Sequence, residues 1–188
     1  MSLTLEIVVT RLIVCLVVVF LFIGSFSSFS QNKTIEQTGD VFLFLLPAAT
    51  VTTTLLKKDN KGTWQYSKGV LLAGAITYGL KFGIQKMRPD MSNENSFPSG
   101  HTSMSFQSAA FIHRRYGFIE SLPFYAIAGF TSFSRINADK HDGWDLLAGA
   151  FIGIGSSFIF TSPLQENNIK LSFSSSKESF LISFSYQF

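Results

Sequence analysis

From Val41 to Thr161 the chain is a series of uncharged or nearly uncharged runs cut by short polar breaks. Val41 to Leu56 is apolar and ends at Lys57-Lys58, and Gly69 to Ile84 is apolar except for Lys81. Ser99 to Arg115 is more polar, with Met104, Ala109, Phe111 and Ile112 among polar neighbours; Ser121 to Ser134 and Leu146 to Thr161 carry no charge. Pro89, Pro98, Gly117 and the Asp139-Lys140 stretch punctuate between them, as helix ends and turns require. The expectation is an all-α, antiparallel helical bundle. Runs of ~14 to 18 residues fall at or below the ~20 that span a bilayer, so spacing alone fits a short membrane bundle or a buried soluble one. Composition favours the membrane. Hydrophobic residues make up 46% and charged residues 14%, with 21 phenylalanines, so such a chain has too little polar surface to cover itself. Gly149, Gly153 and Gly155 in the last run suit close helix packing in lipid.

The net charge of +3 comes without a basic tail or an aromatic-interleaved basic patch, which gives nucleic acid no footing as a partner. The single cysteine, Cys15, excludes an intramolecular disulfide and a cysteine metal site. Residues 12 to 32 are uncharged, Arg11 precedes them, and Ser28-Phe29-Ser30 before Gln31 is a small-x-small pattern of the kind signal peptidase cuts. Residues 1–30 are therefore expected to be a signal peptide or an N-terminal membrane anchor. Either places the chain beyond Gln31 outside the cytoplasm, in a cell envelope. Residues 31–165 are expected to form the helical domain. In 166–188, Ile169, Leu171 and Phe173 alternate with polar residues, and so do Phe180, Ile182, Phe184, Tyr186 and Phe188 beyond Ser175 to Glu178, predicting a short C-terminal β-hairpin.

Three blocks carry the chemistry: Lys81-x6-Arg88-Pro89, Pro98-Ser99-Gly100-His101 and Ser134-Arg135-x5-His141-x3-Asp145. Lys81 and Arg88 close the second helix, Ser99 and His101 open the third, Arg135 closes the fourth, and His141 and Asp145 open the fifth. If consecutive helices run antiparallel, all these groups converge on one end of the bundle. Lys81, Arg88 and Arg135 supply cations for a phosphate, and arginine grips two oxygens at once. Ser99 can donate its hydroxyl; Gly100 admits close backbone approach at a helix start whose N–H groups point at an anion. His141 and Asp145, four apart, share one helix face, so the carboxylate can orient the imidazole as a nucleophile. His101 is then the expected general acid. His113 falls at the opposite end and is given no catalytic role.

A zinc site drawn from His101, His141, Asp145 and Asp142 is disfavoured by three converging cations, and HExxH, Walker and dinucleotide patterns are absent, so no metal or cofactor is expected. The opposite end carries Lys57, Lys58, Lys61, Lys68, Arg114 and Arg115; by the positive-inside rule it faces the cytoplasm and the site faces outward.

The three blocks resemble the signature of the type 2 phosphatidic acid phosphatase (PAP2) superfamily across residues 81–145, and the Leu146-Leu147-Ala148-Gly149 directly after them is also typical. The resemblance implies a metal-independent helical phosphatase of the PAP2/haloperoxidase-like fold acting through a phosphohistidine. It assigns His141 as nucleophile, Asp145 as its partner and His101 as acid, with Lys81, Arg88, Ser99, Gly100 and Arg135 binding phosphate. Asp139, Lys140 and Asp142 depart from the apolar or small residues usual around that histidine, suggesting a polar mouth for a large sugar-phosphate head group. The expected substrate is a membrane lipid phosphate in a bacterial envelope, with lipid A leading. Undecaprenyl pyrophosphate and phosphatidylglycerol phosphate come next, then the soluble esters of a broad-specificity periplasmic acid phosphatase. A silent lipid-phosphate-binding scaffold is the non-enzyme reading; turnover separates the two.

Overall fold

The computed structural model describes residues 31–164, with side chains from 33, and the backbone of 169–175 and 180–186. The expected signal segment lies outside the described residues. Five helices succeed one another: α1 (Gln31–Leu56), α2 (Asn60–Ile84), α3 (Gly100–Tyr116), α4 (Phe118–Asn137) and α5 (Gly143–Phe160). The bundle is all-helical, but three helices run well past their apolar stretches. α1 has 26 residues, α2 25 and α4 20. The polar residues 31 to 40, expected outside the helices, form the first turns of α1, and those from Asn60 to Lys68 form the first turns of α2. Helix persists there because caps and packing, not apolar content, set its ends.

Those ends have identifiable causes. Asp59 caps α2, accepting from the Gly62 N–H at 2.8 Å. Gln85 closes α2 in the left-handed conformation, and Gly117, at φ 123°, makes the turn between α3 and α4. Ser99 caps α3, and Asp142 with Asp145 forms a capping box on α5.

Helix α3 packs against α2, α4 and α5 and is the most enclosed helix, although it is the most polar. Its small residues explain the inversion. A Cβ at Gly149 or Gly153 of α5 would run into the backbone at Ser99 O or Ser103 O of α3, so the two helices meet nearly backbone to backbone. Several buried hydroxyls pair with one another: Thr77 with Ser103 at 3.0 Å, Ser132 with Thr102 at 3.1 Å, and Tyr66 with Ser108 at 2.8 Å. An apolar cluster of Leu46, Tyr66, Phe111, Ile112 and Phe124 forms the core. Large apolar side chains, by contrast, point outward: Phe44, Phe82 and Phe151 are each 73% exposed. Among the described residues, two helical segments, Lys33–Leu56 and Gly143–Phe160, are long and apolar enough to cross a membrane.

At the far end, Arg115 is buried and grips Asp59 through two bonds of 2.6 and 2.7 Å, while Tyr116 donates to the same carboxylate at 3.0 Å. Arg115 also donates to Ser162 O and Pro163 O, tying the α1–α2 turn, the end of α3 and the exit of α5 together. It is thus a fastener and not one of the free terminal cations expected at this end. Beyond the bundle, the backbone of β1 (Ile169–Ser175) runs antiparallel to β2 (Phe180–Tyr186), Ile169 opposite Tyr186; their side chains lie outside the described residues.

Candidate active site

The antiparallel order of α2 to α5 brings the three blocks to one end of the bundle. Lys81, Arg88, Gly100, His101 and His141 all line one cleft of about 350 Å³, with Asn95 beside them and Leu43, Tyr78, Phe82 and Met104 on its apolar wall. Lys81, in the last turn of α2, donates to Asn95 O at 2.6 Å. Arg88 sits in the α2–α3 loop, its backbone N–H bonded to Asn93 O, while its buried Nε has no protein partner. A buried guanidinium donor left open beside a second cation is the arrangement an anion completes.

The other three expected residues stand behind the cleft. Ser99 is fully buried and its hydroxyl accepts from the Thr102 hydroxyl at 3.1 Å and, more weakly, from the Thr102 N–H. Arg135 is buried too, with Nη1 2.9 Å from Asp40 Oδ1, Nη2 2.5 Å from Glu36 O and Nε 3.0 Å from Ser134 Oγ. Asp145 is wholly enclosed. Its Oδ1 accepts from Lys86 at 2.8 Å; its Oδ2 accepts from Ser96 at 2.5 Å and from the Asp142 N–H at 3.1 Å.

His141 lies in the loop before α5 and not on the helix, so the shared helical face expected for the pair is not how they meet. Its Nδ1 is 3.6 Å from Asp145 Oδ2, beyond hydrogen-bond reach, and is buried without a partner. Burial, with Lys81 and Arg88 adding repulsion, lowers the His141 pKa to about 4, and Asp145 only partly offsets them. The ring is therefore neutral at ordinary pH, with a lone pair free. His101 is also lowered, first by burial and then by the Arg135 charge, against which Asp40 pulls upward. Its Nε2 is 2.8 Å from Asp40 Oδ1.

Two residues escaped the sequence reading. Asp40 is the last charge before an uncharged run of sixteen residues, Val41 to Leu56, a faint sign that a carboxylate there has a purpose. Lys86, one of the unspecified positions between Lys81 and Arg88, bridges Asp142 at 2.5 Å and Asp145 at 2.8 Å. The polar residues near His141 are likewise committed to internal pairs: Lys140 to Asp90 at 2.6 Å and Asp142 to Lys86, while Asp139 turns the chain at φ 52°. Among the described residues no cluster of three or more metal-ligating side chains forms.

A helical bundle that opens two histidines and two cations into one cleft, with a buried carboxylate behind, is the architecture of a phosphoryl-transfer site. The profile of the PAP2 superfamily matches residues 62–169, and the chain belongs to that superfamily. It is 33% identical over 140 residues to a lipid A 4'-phosphatase of Helicobacter pylori strain J99, covering 68% of this chain and 70% of that protein. It is 38% identical over 91 residues to a lipid A 1-phosphatase of Porphyromonas gingivalis, covering 46% of this chain but only 20% of that protein. The crystal structure of LpxE from Aquifex aeolicus has the same fold, with a TM-score of 0.61 at 20% identity over 76% of this chain and 92% of that one.

Proposed function

We propose that this protein is a lipid A phosphatase that removes a phosphate monoester through a phosphohistidine on His141. The observation that carries the reading is the shared cleft of His141, His101, Lys81 and Arg88 in a PAP2 chain whose relatives bear lipid A phosphatase names. Lys81, Arg88 and the Gly100 backbone line the cleft and hold the phosphate; Arg135 and Ser99, behind it, support that cradle. Neutral His141 attacks phosphorus while His101 protonates the leaving alcohol. As the P–N bond forms the ring becomes positive, and the carboxylate of Asp145, now 3.6 Å away, draws in to stabilise it. His101 then takes a proton from water, and the hydroxide releases phosphate from His141.

The protein sits in a bacterial envelope membrane. Buried serines and threonines inside with exposed phenylalanines outside is the distribution lipid selects, and Trp144, 75% exposed at the site end of α5, suits the interface. The site opens outward, because Lys57, Lys58, Lys61, Lys68 and Arg114 hold the other end at the cytoplasmic face. The C-terminal strands form a hairpin appended to this unit. Phosphate release from lipid A, phosphatidylglycerol phosphate and undecaprenyl pyrophosphate in detergent micelles, with EDTA present, tests the substrate. Lipid A is expected to give the highest kcat/KM, unaffected by EDTA. A higher value on either other lipid would reassign the substrate, and loss of activity in EDTA would overturn the metal-free chemistry.

A further inference from the structure

We propose that Asp40 is a positioning residue for the leaving-group proton: its carboxylate fixes the tautomer of His101 and keeps that ring protonated until the leaving oxygen takes the proton. The proposal rests on the reading of His101 as the general acid. Asp40 belongs to α1, outside all three signature blocks, yet its Oδ1 is 2.8 Å from His101 Nε2 and 2.9 Å from Arg135 Nη1. An ionised carboxylate only accepts, so the bond to Nε2 requires a proton on that nitrogen. Arg135 Nη1 lies 3.5 Å from the same Nε2, and two donors do not bond each other; Asp40 stands as acceptor to both. Nδ1 is thereby the nitrogen left for the substrate.

The groups facing His101 make the carboxylate necessary. Arg135 comes from α4, Arg88 from the α2–α3 loop, and Lys81 and His141 share the cleft. Burial, Arg135 and Arg88 all disfavour the imidazolium; Asp40 is the group that favours it. Charge and protons balance through both halves of the reaction. His141 forms its bond to phosphorus, the ester P–O bond breaks, and His101 Nδ1–H passes its proton to the leaving oxygen. The ring is left neutral, with Nε2–H still on Asp40. In the second half, Nδ1 takes a proton from water as the hydroxide displaces His141. Asp40 itself neither gains nor loses a proton.

The test compares two leaving groups, p-nitrophenyl phosphate and dodecyl phosphate, on the full-length protein in detergent. A nitrophenolate departs without a proton; an alkoxide does not. Asp40→Asn is expected to lower kcat/KM for dodecyl phosphate by about 10- to 100-fold, leave the aryl ester within about threefold, and move the basic limb of the alkyl profile to lower pH. Its KM is not expected to rise, since a negative charge beside the phosphate has been removed. Asp40→Ser, a second variant should the first fail to fold, is expected to show the same selective loss. Equal loss on both esters, or none on the alkyl ester, would overturn the proposal and leave Asp40 a structural partner of Arg135. His101→Asn separates the layers. Selective loss there without it in the Asp40 variants sinks the proposal alone; loss of both esters equally in His101→Asn sinks the general-acid reading with it.

Discussion

His141 is held where burial and two neighbouring cations keep its imidazole unprotonated, which suits an attacking group, while the proposed mechanism needs His101 charged when the ester breaks. The two requirements fix the sign of each pH limb. The His141 pKa is lowered to about 4, so kcat/KM falls only as pH drops through that value and the nucleophile protonates. The His101 pKa lies below its ordinary 6.5, so activity falls again as pH rises past a point on the acid side of 6.5. A kcat/KM profile on lipid A is therefore expected to peak between these limits, and a plateau extending above pH 7 would contradict the assignment. Lys86 belongs to the same scale. It supplies one of the bonds that hold the enclosed Asp145, so Lys86→Met is expected to cost about 1.5–3 kcal/mol, read as a lower melting temperature, because a buried carboxylate loses a charged donor. The gathering of Lys81, Arg88, His101 and His141 at one end was legible in the sequence, since each sits at a helix end and antiparallel order brings those ends together. Asp40 and Lys86 were not, because each acts across elements and no spacing rule links position 40 to 101 or 86 to 145.

The helices themselves were legible as apolar runs, and their antiparallel order came from short loops. Their ends and their burial were not. An apolar run stops at its first charge, but a helix stops at a cap, so residues 31 to 40 and Asn60 to Lys68 extended helices that hydropathy had cut short. The polarity of α3 misled in the other direction, since a helix rich in serine and threonine lies at the centre when neighbouring helices approach closely enough to bond its hydroxyls. The α3–α5 contact makes this testable with two neighbouring glycines. Gly153→Ala puts a methyl group against Ser103 O and the Gln107 backbone, and is expected to destabilise by about 1–3 kcal/mol. Gly155→Ala meets nothing within 4 Å and is expected to be neutral or stabilising by up to about 1 kcal/mol. Thermal melts of the pair in one detergent give the comparison; similar losses would deny the close contact.

The whole molecule separates labour between its ends. One end gathers the cleft; the other is tied by Asp59, Arg115 and Tyr116, where both charged side chains are 4% exposed. Asp59→Asn is expected to cost about 3–5 kcal/mol by stranding a buried guanidinium, with kcat/KM of the surviving folded fraction little changed. The Arg115 guanidinium holds the Asp59 pKa below its ordinary 3.8, so the pair's contribution is present above that value and is lost as pH falls through the lowered one. A melting temperature that falls steeply below pH 4 in the wild type and less in the variant would bear this out. Between the ends, phenylalanines point outward and hydroxyls inward, the distribution that the proposed membrane placement of the cleft requires.

The phosphohistidine is the central claim, and trapping it is the most direct test. Lipid A carrying radiolabelled phosphate, mixed with enzyme and quenched in alkali, is expected to leave an alkali-stable, acid-labile label on the wild-type chain. In His141→Ala the label disappears and phosphate release falls by at least ~10³-fold. Undiminished release in that variant, or a label that survives the substitution, would contradict the account.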